Sequence, residues 1–388
     1  MEGLVGNCPV TAFTRTLACF DLMWYRYSTR YVLAPMNYIQ HRFLPTVALC
    51  FVVCFLVSSI GRSQERTPLE RIPVVVRDRH GSVISGITVQ DLTAKVAGNS
   101  AAIAAITVDS RPHRVVILLD TSASMNGVRD SKKWKLPVEI ATYAATAVSP
   151  NMELAFVAFD ETAHSVIDFS QGNTAVLKQL NRMSAAQTLS EIGVRKRTAL
   201  YDAIYRGWQL IDKPTSADLL LVVSDGDDNK SSLKPEALEK ILTGSGVRFF
   251  AVRIQDFDDP SLARYLEASG GPRVLAEIAE KTGGEVFGPV GFRSGAVNFA
   301  FSNYDYSDKT SLKDALGGFL QGLVQQEAAE IQFSSAIETE QPLELKLSYI
   351  AAHRWKGATL SYPRELFPRA LSAKSCQFNR SMQHLPMR

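Results

Sequence analysis

Val115-Val116-Ile117-Leu118-Leu119 runs straight into Asp120-Thr121-Ser122-Ala123-Ser124. An apolar run with no polar alternation reads as a strand buried on both faces, the kind found inside a parallel sheet covered by helices. At its C-terminal tip a carboxylate and two hydroxyls stand on alternate residues, and alternate residues of an extended or gently turning backbone point the same way. Hard oxygen ligands presented together, with no sulfur or imidazole beside them, suit Mg²⁺, Mn²⁺ or Ca²⁺ and not zinc or copper. Ser, Thr and Asp in such clusters also cap helices and make turns, so the segment by itself leaves both readings open. Its position favours a ligand, because open α/β sheets bind outside the carboxyl ends of their strands.

Two further segments narrow the choice. Leu219-Leu220-Leu221-Val222-Val223 is another uninterrupted apolar strand, and it ends in Ser224-Asp225-Gly226-Asp227-Asp228-Asn229, which puts Asp225 at a strand tip as Asp120 is. Asp227 and Asp228 read as a solvated turn. Arg197-Thr198-Ala199-Leu200-Tyr201-Asp202-Ala203-Ile204 opens a helix through Leu210, with Leu200, Ile204 and Trp208 at helical spacing. Thr198 stands at its start, where a hydroxyl can cap the helix or bind an ion.

The set D-T-S-A-S, R-T-A-L-Y-D-A-I and V-V-S-D-G-D-D-N, in this order, resembles a von Willebrand factor A domain. In that family these segments build a metal-ion-dependent adhesion site. The resemblance implies that Ser122, Ser124 and Thr198 ligate a cation through their hydroxyls, with Asp120 and Asp225 binding directly or through water. The implied cofactor is Mg²⁺, with Mn²⁺ or Ca²⁺ as alternatives, and the implied partner is a protein presenting Asp or Glu. The family places a small residue before the threonine, whereas this chain has Arg195-Lys196-Arg197. That run is either a solvated basic loop or a positive ligand rim that favours acidic partners and weakens cation binding.

The implied fold is α/β: a doubly wound, mostly parallel sheet with helices on both faces, flanked by small β segments. Strands at Arg114–Leu119, Glu153–Phe159, Leu219–Val223, Val247–Ile254 and Gly284–Phe287 alternate with helices at Lys135–Val148, Thr174–Met183, Arg273–Thr282 and Ser311–Gln325. Glu153–Phe159 and Ser165–Phe169 look like a hairpin pair, and Gly283-Gly284 is a helix stop. This body spans residues 112–326. Residues 67–111 read as short strands and turns, with Gly98-Asn99 as one turn, and resemble the small β module that precedes the A domain in VWFA-related proteins common in Acidobacteria. Alternation returns in residues 328–369, as in Leu343-Glu344-Leu345-Lys346-Leu347, and these strands could pair with the N-terminal module. Residues 370–388 read as a disordered tail. The family also implies that the helix at Ser311–Gln325 shifts when the site is filled.

Phe43–Ile60 is apolar, preceded by His41-Arg42 and followed by Gly61-Arg62-Ser63. A short basic flank, an apolar core and small residues match a secretory signal, and Met36 gives it a leader of ordinary length. Residues 1–35 are then a mis-assigned start or non-functional leader, and residues 36–63 a signal peptide or an uncleaved anchor. Either way the body is expected to be exported: periplasmic, cell-surface or secreted. A membrane is a partner only if the leader stays attached. Beyond the leader only Cys376 remains, so no internal disulfide is available.

A net charge of +3, with no basic stripe and no Cys/His finger spacing, argues against nucleic acid as a partner. The six histidines form no metal-binding pair, and His164 reads as a surface residue. There is no nucleophile elbow, phosphate loop or dinucleotide fingerprint, so no enzymatic activity is expected. The function that follows is an exported, metal-dependent protein-binding module. The alternative is a non-catalytic scaffold subunit of a cell-envelope or AAA+-linked assembly.

Overall fold

A computed structural model describes residues 69–366 apart from 110, 112, 127–133, 187–196, 260, 262–263, 265–267, 294–295, 300–309, 333–341 and 351–353. The expected leader and tail lie outside the described residues. Those described contain two sheets within one compact unit.

The chain starts in a flanking sheet with β1 (Leu69–Arg77), β2 (Val83–Ile84), β3 (Leu92–Val96) and β4 (Asn99–Val108). The turn between β3 and β4 is Ala97-Gly98, one residue earlier than the sequence suggests. Both residues have positive φ (48° and 80°), as a tight two-residue hairpin requires.

The central sheet follows. Its strands are β5 (His113–Asp120), β6 (Met152–Phe159), β7 (Ala163–Ile167), β8 (Leu219–Ser224), β9 (Arg248–Ile254), β10 (Val286–Arg293) and β11 (Ala296–Phe299). They lie in the order β11-β10-β9-β8-β5-β6-β7, parallel from β10 to β6 and antiparallel at both edges. The helices are α1 (Lys135–Val148), α2 (Gly172–Ala185), α3 (Leu200–Gln209), α4 (Pro235–Ser245), α5 (Gly271–Thr282) and α6 (Leu312–Val324). Because strand side chains alternate, β5 serves two cores at once. Val115, Ile117 and Leu119 join one core with α1, α2 and α6, and Val116 and Leu118 join the other with α3, α4 and α5. The apolar run therefore has no polar face because neither face meets water.

The chain returns to the flanking sheet through β12 (Glu327–Gln332), β13 (Leu343–Tyr349), β14 (Thr359–Ser361) and β15 (Glu365–Leu366). The N- and C-terminal segments pair directly, β1 with β12 and β3 with β13, both antiparallel. The order is β14-β1-β12-β4-β3-β13-β15, so its two ends are successive strands joined by Tyr362-Pro363-Arg364. The sheet curls around its own core of Ile72, Val74, Leu92, Val96, Ile331, Leu345 and Tyr362.

Arg77 ties this flanking sheet to the central body. It is buried and donates to Glu285, which immediately precedes β10, at 2.9 Å, and to the α6 carbonyls of Gly318 and Phe319 at 2.7 and 2.9 Å. Gly322 is what lets it lie on α6, since a Cβ there would meet the guanidinium.

Candidate metal centre

The order of the central sheet reverses at β5. From β5 the chain passes through α1 to β6 on one side, while β8 lies on the other side and leads to α4 on the opposite face. Loops leaving β5 and β8 therefore diverge and open a crevice at the strand tips. In register, Leu119 faces Val223, which sets Asp120 beside Ser224. The Ser224 hydroxyl donates to Asp120 Oδ2 at 2.7 Å, and the Ser122 backbone N–H donates to Asp120 Oδ1 at 2.9 Å. The chain then tightens into a 3-10 turn at Ala123–Asn126, with the Ser122 and Ser124 hydroxyls 3.1 Å apart. Asp225 closes the group: its carboxyl takes a hydrogen bond from the Ser124 side chain and another from the Asp227 N–H at 2.9 Å. Gly226 turns the loop away with φ +89°, and a Cβ there would lie 3.2 Å from the Pro272 nitrogen at the head of α5.

Thr198 is buried one residue ahead of the α3 N-cap position. Its backbone is stitched to the β8 loop, with its N–H donating to Asn229 Oδ1 at 3.1 Å and its carbonyl accepting from the Asn229 N–H at 3.0 Å. Side-chain contacts thus join Asp120, Ser122, Ser124 and Asp225, and backbone pairing brings Thr198 to the same loop. Arg195 and Lys196 lie outside the described residues, and Arg197 is exposed.

Two expectations from the sequence, for Asp227 and for Asp228, need correction. Asp227 and Asp228 are not a solvated turn. Asp227 is buried and holds the Asn229 amide at 2.9 Å. Asp228 Oδ1 accepts from the N–H groups of Leu200 and Tyr201 at 2.8 and 3.4 Å, so it caps α3 from another loop and complements the helix dipole. With that cap supplied by Asp228, Thr198 is not the N-cap of α3. His164 is exposed, as the sequence suggests, and it is also bonded: its Nε2 lies 2.9 Å from Thr121 Oγ1 and 3.8 Å from Asp160 Oδ2. The helix that Asp228 caps and the threonine that His164 meets lie 28 and 43 residues away in sequence, and no local spacing signals them.

Electrostatics mark the crevice. Burial, and then the nearby Asp225 charge, push the Asp120 carboxyl up to about 8. Burial also raises Asp225, against the hydrogen bonds from Ser124 and Asp227. Asp225 Oδ2 is buried and lacks a hydrogen-bond partner, a costly state for a carboxylate oxygen. A hard cation would relieve both features, and two carboxylates with three hydroxyls are a donor set that suits one. Among the described residues no group of three or more His, Cys, Asp or Glu could hold a metal, so a cation at these tips depends on the hydroxyls.

A sequence profile of the von Willebrand factor type A domain matches residues 115–287. No curated protein matches the chain. Among solved structures, an aerotolerance-related membrane protein from Bacteroides fragilis is 14% identical with a TM-score of 0.33, covering 54% of this chain and 98% of that one. A von Willebrand factor type A protein from Catenulispora acidiphila is 14% identical with a TM-score of 0.30, covering 76% and 73%. Proximal thread matrix protein 1 from the mussel byssus is 15% identical with a TM-score of 0.30, and this chain spans 38% of its length, as it does of this chain. At that level of likeness the assignment rests on the profile match and on the doubly wound sheet. Residues 115–287 are thus assigned as a von Willebrand factor type A domain.

Proposed function

We propose that the chain is an exported, non-catalytic protein-binding module whose A domain grips a partner through a divalent cation. The von Willebrand factor type A domain points to a protein-interaction module; the metal, its ligands and export are the finer reading. Asp120, Ser122, Ser124, Thr198 and Asp225 hold Mg²⁺, with Mn²⁺ or Ca²⁺ as alternatives. The observation that carries this is Asp225 Oδ2, buried without a donor beside a second buried carboxyl and two hydroxyls.

Bound there, the cation supplies positive charge and an open coordination position for a glutamate or aspartate of the partner. The chain supplies the rest. Ser224 and the Ser122 N–H fix the Asp120 carboxyl. The neutral hydroxyls add donors without adding negative charge, so the cation keeps more of its attraction for an acidic ligand than in an all-carboxylate cage. Asn229 and Asp228 anchor the Thr198 loop to the loop that carries Asp225. Export rests on the apolar segment Phe43–Ile60 with its basic flank. Among the described residues no helix is long and apolar enough to cross a membrane.

The test is thermal denaturation with Mg²⁺ or Mn²⁺, and affinity capture of exported proteins with and without chelator. The cation should raise the melting temperature, and Asp120→Ala should abolish the increment. An increment that persists in the mutant removes the site assignment. Capture that ignores the chelator removes the cation from partner binding.

A further inference from the structure

We infer that His164 is a positioning residue for the candidate ligand loop, holding Thr121 back so that its neighbours Asp120 and Ser122 face the crevice; the inference rests on the metal-binding reading above. Thr121 stands between two candidate ligands in sequence. Its N–H donates to the Phe159 carbonyl at 2.8 Å, and its hydroxyl donates to the same carbonyl at 2.9 Å. A hydroxyl has one hydrogen to give. The 2.9 Å contact with His164 Nε2 therefore has the ring nitrogen as donor and Thr121 Oγ1 as acceptor, which places a proton on Nε2.

The backbone is shaped to deliver that ring. In the β6–β7 ladder Ala158 faces Ser165 while Phe159 faces Ala163, so His164 is the extra residue of a β-bulge. A bulge re-aims the side chain it carries, and strand ends beside binding sites are where bulges concentrate. Near the ring lies Asp160, fully buried, whose Oδ1 accepts from the Thr162 N–H at 3.2 Å and whose Oδ2, 3.8 Å from Nε2, has no hydrogen-bond partner. The Asp160 carbonyl accepts from the Ala199 N–H at 2.7 Å. One imidazole thus sits where the loops after β5 and β6 meet the segment carrying Thr198. Outer partners of this kind orient metal ligands, and their loss weakens metal affinity by about 10–100-fold.

The experiment measures Mn²⁺ affinity of the full chain by electron paramagnetic resonance, with the melting temperature of the metal-free protein as the folding control. The proteins are wild type, His164→Leu, His164→Gln, Thr121→Val and the His164→Leu/Thr121→Val double variant. His164→Leu is expected to weaken Mn²⁺ by about tenfold, and Thr121→Val by a similar factor. The double variant should bind no more weakly than the worse single one, since both remove the same hydrogen bond. His164→Gln, whose amide N–H reaches near the Nε2 position, should recover affinity to within about threefold of wild type. Wild-type affinity in folded His164→Leu, losses that multiply in the double variant, or no recovery with Gln would each overturn the inference alone. A wild-type protein that takes up no Mn²⁺ overturns the metal reading and this inference with it.

Discussion

Replacing Arg77 by Met should be the most damaging single change where the flanking sheet meets the A domain. The guanidinium is 1% exposed and reaches Glu285 at 2.9 and 3.2 Å, Gly81 O at 3.0 Å, and the Gly318 and Phe319 carbonyls at 2.7 and 2.9 Å. Met replaces the apolar stem but none of the donors. The two α6 carbonyls lie inside a helix whose own ladder also reaches them, so most of the loss falls on Glu285. That carboxylate is 11% exposed and keeps the Ser361 hydroxyl at 2.5 Å. Removing one partner of a buried ion pair costs about 3–5 kcal/mol, chiefly because the other charge is stranded. At about 2–4 °C per kcal/mol for a body of this size, the melting temperature should fall by about 6–20 °C. Neutralising the stranded group in Arg77→Met/Glu285→Gln should return at least about 1 kcal/mol of that loss. Thermal and urea unfolding followed by circular dichroism read both quantities. A single variant that melts within about 2 °C of wild type, or a double variant no more stable than the single one, refutes the assignment of Arg77 as the tie.

Two other expectations concern the crevice. Asp228→Ala should destabilise the protein by about 1–2 kcal/mol, because the α3 N–H groups lose a charged cap, whereas Asp228→Asn should keep most of it; chemical unfolding separates the two, and equal losses would deny the cap. Asp120 titrates at about 8 in the folded state against an ordinary value of 3.8, so folding holds its proton more tightly than the unfolded chain does. Stability from that proton is complete at low pH and is lost as pH rises through the folded value. Metal-free protein should therefore lose stability between pH ~5 and ~8, Asp120→Asn should flatten the trend, and saturating Mg²⁺ should oppose it; a metal-free profile with no such fall contradicts the burial of this carboxyl.

The central sheet was legible because its signals are local. Val115–Leu119 and Leu219–Val223 have no polar alternation, and α1 begins and ends at the residues its spacing gives, Lys135 and Val148. α4 carried readable marks, Pro235 in its first turn, Leu238 and Leu242 one turn apart, and Gly246 at its left-handed stop, but short of a longer apolar stripe they did not stand out from the turn before them. β14 and β15, at three and two residues, are strands only by virtue of their partners β1 and β13, and no pattern of two or three residues encodes that. The same distinction runs through the site. Asp120, Ser122 and Ser124 sit in one local motif and could be named. Asp228 and His164 act on residues 28 and 43 positions away, so their bonding was invisible from neighbours alone. Carboxylates after a glycine resemble a solvated turn until a helix end is placed against them.

The most direct test of the metal site is Mn²⁺ binding by wild type and by Ser122→Ala/Ser124→Ala, followed by electron paramagnetic resonance. This change leaves every carboxylate and the net charge in place, so a cation held loosely by acidic side chains would not notice it. One saturable Mn²⁺ in the wild type, lost in the double variant while the protein remains folded, is the result expected if these hydroxyls hold the ion. Equal Mn²⁺ uptake by both proteins would contradict it.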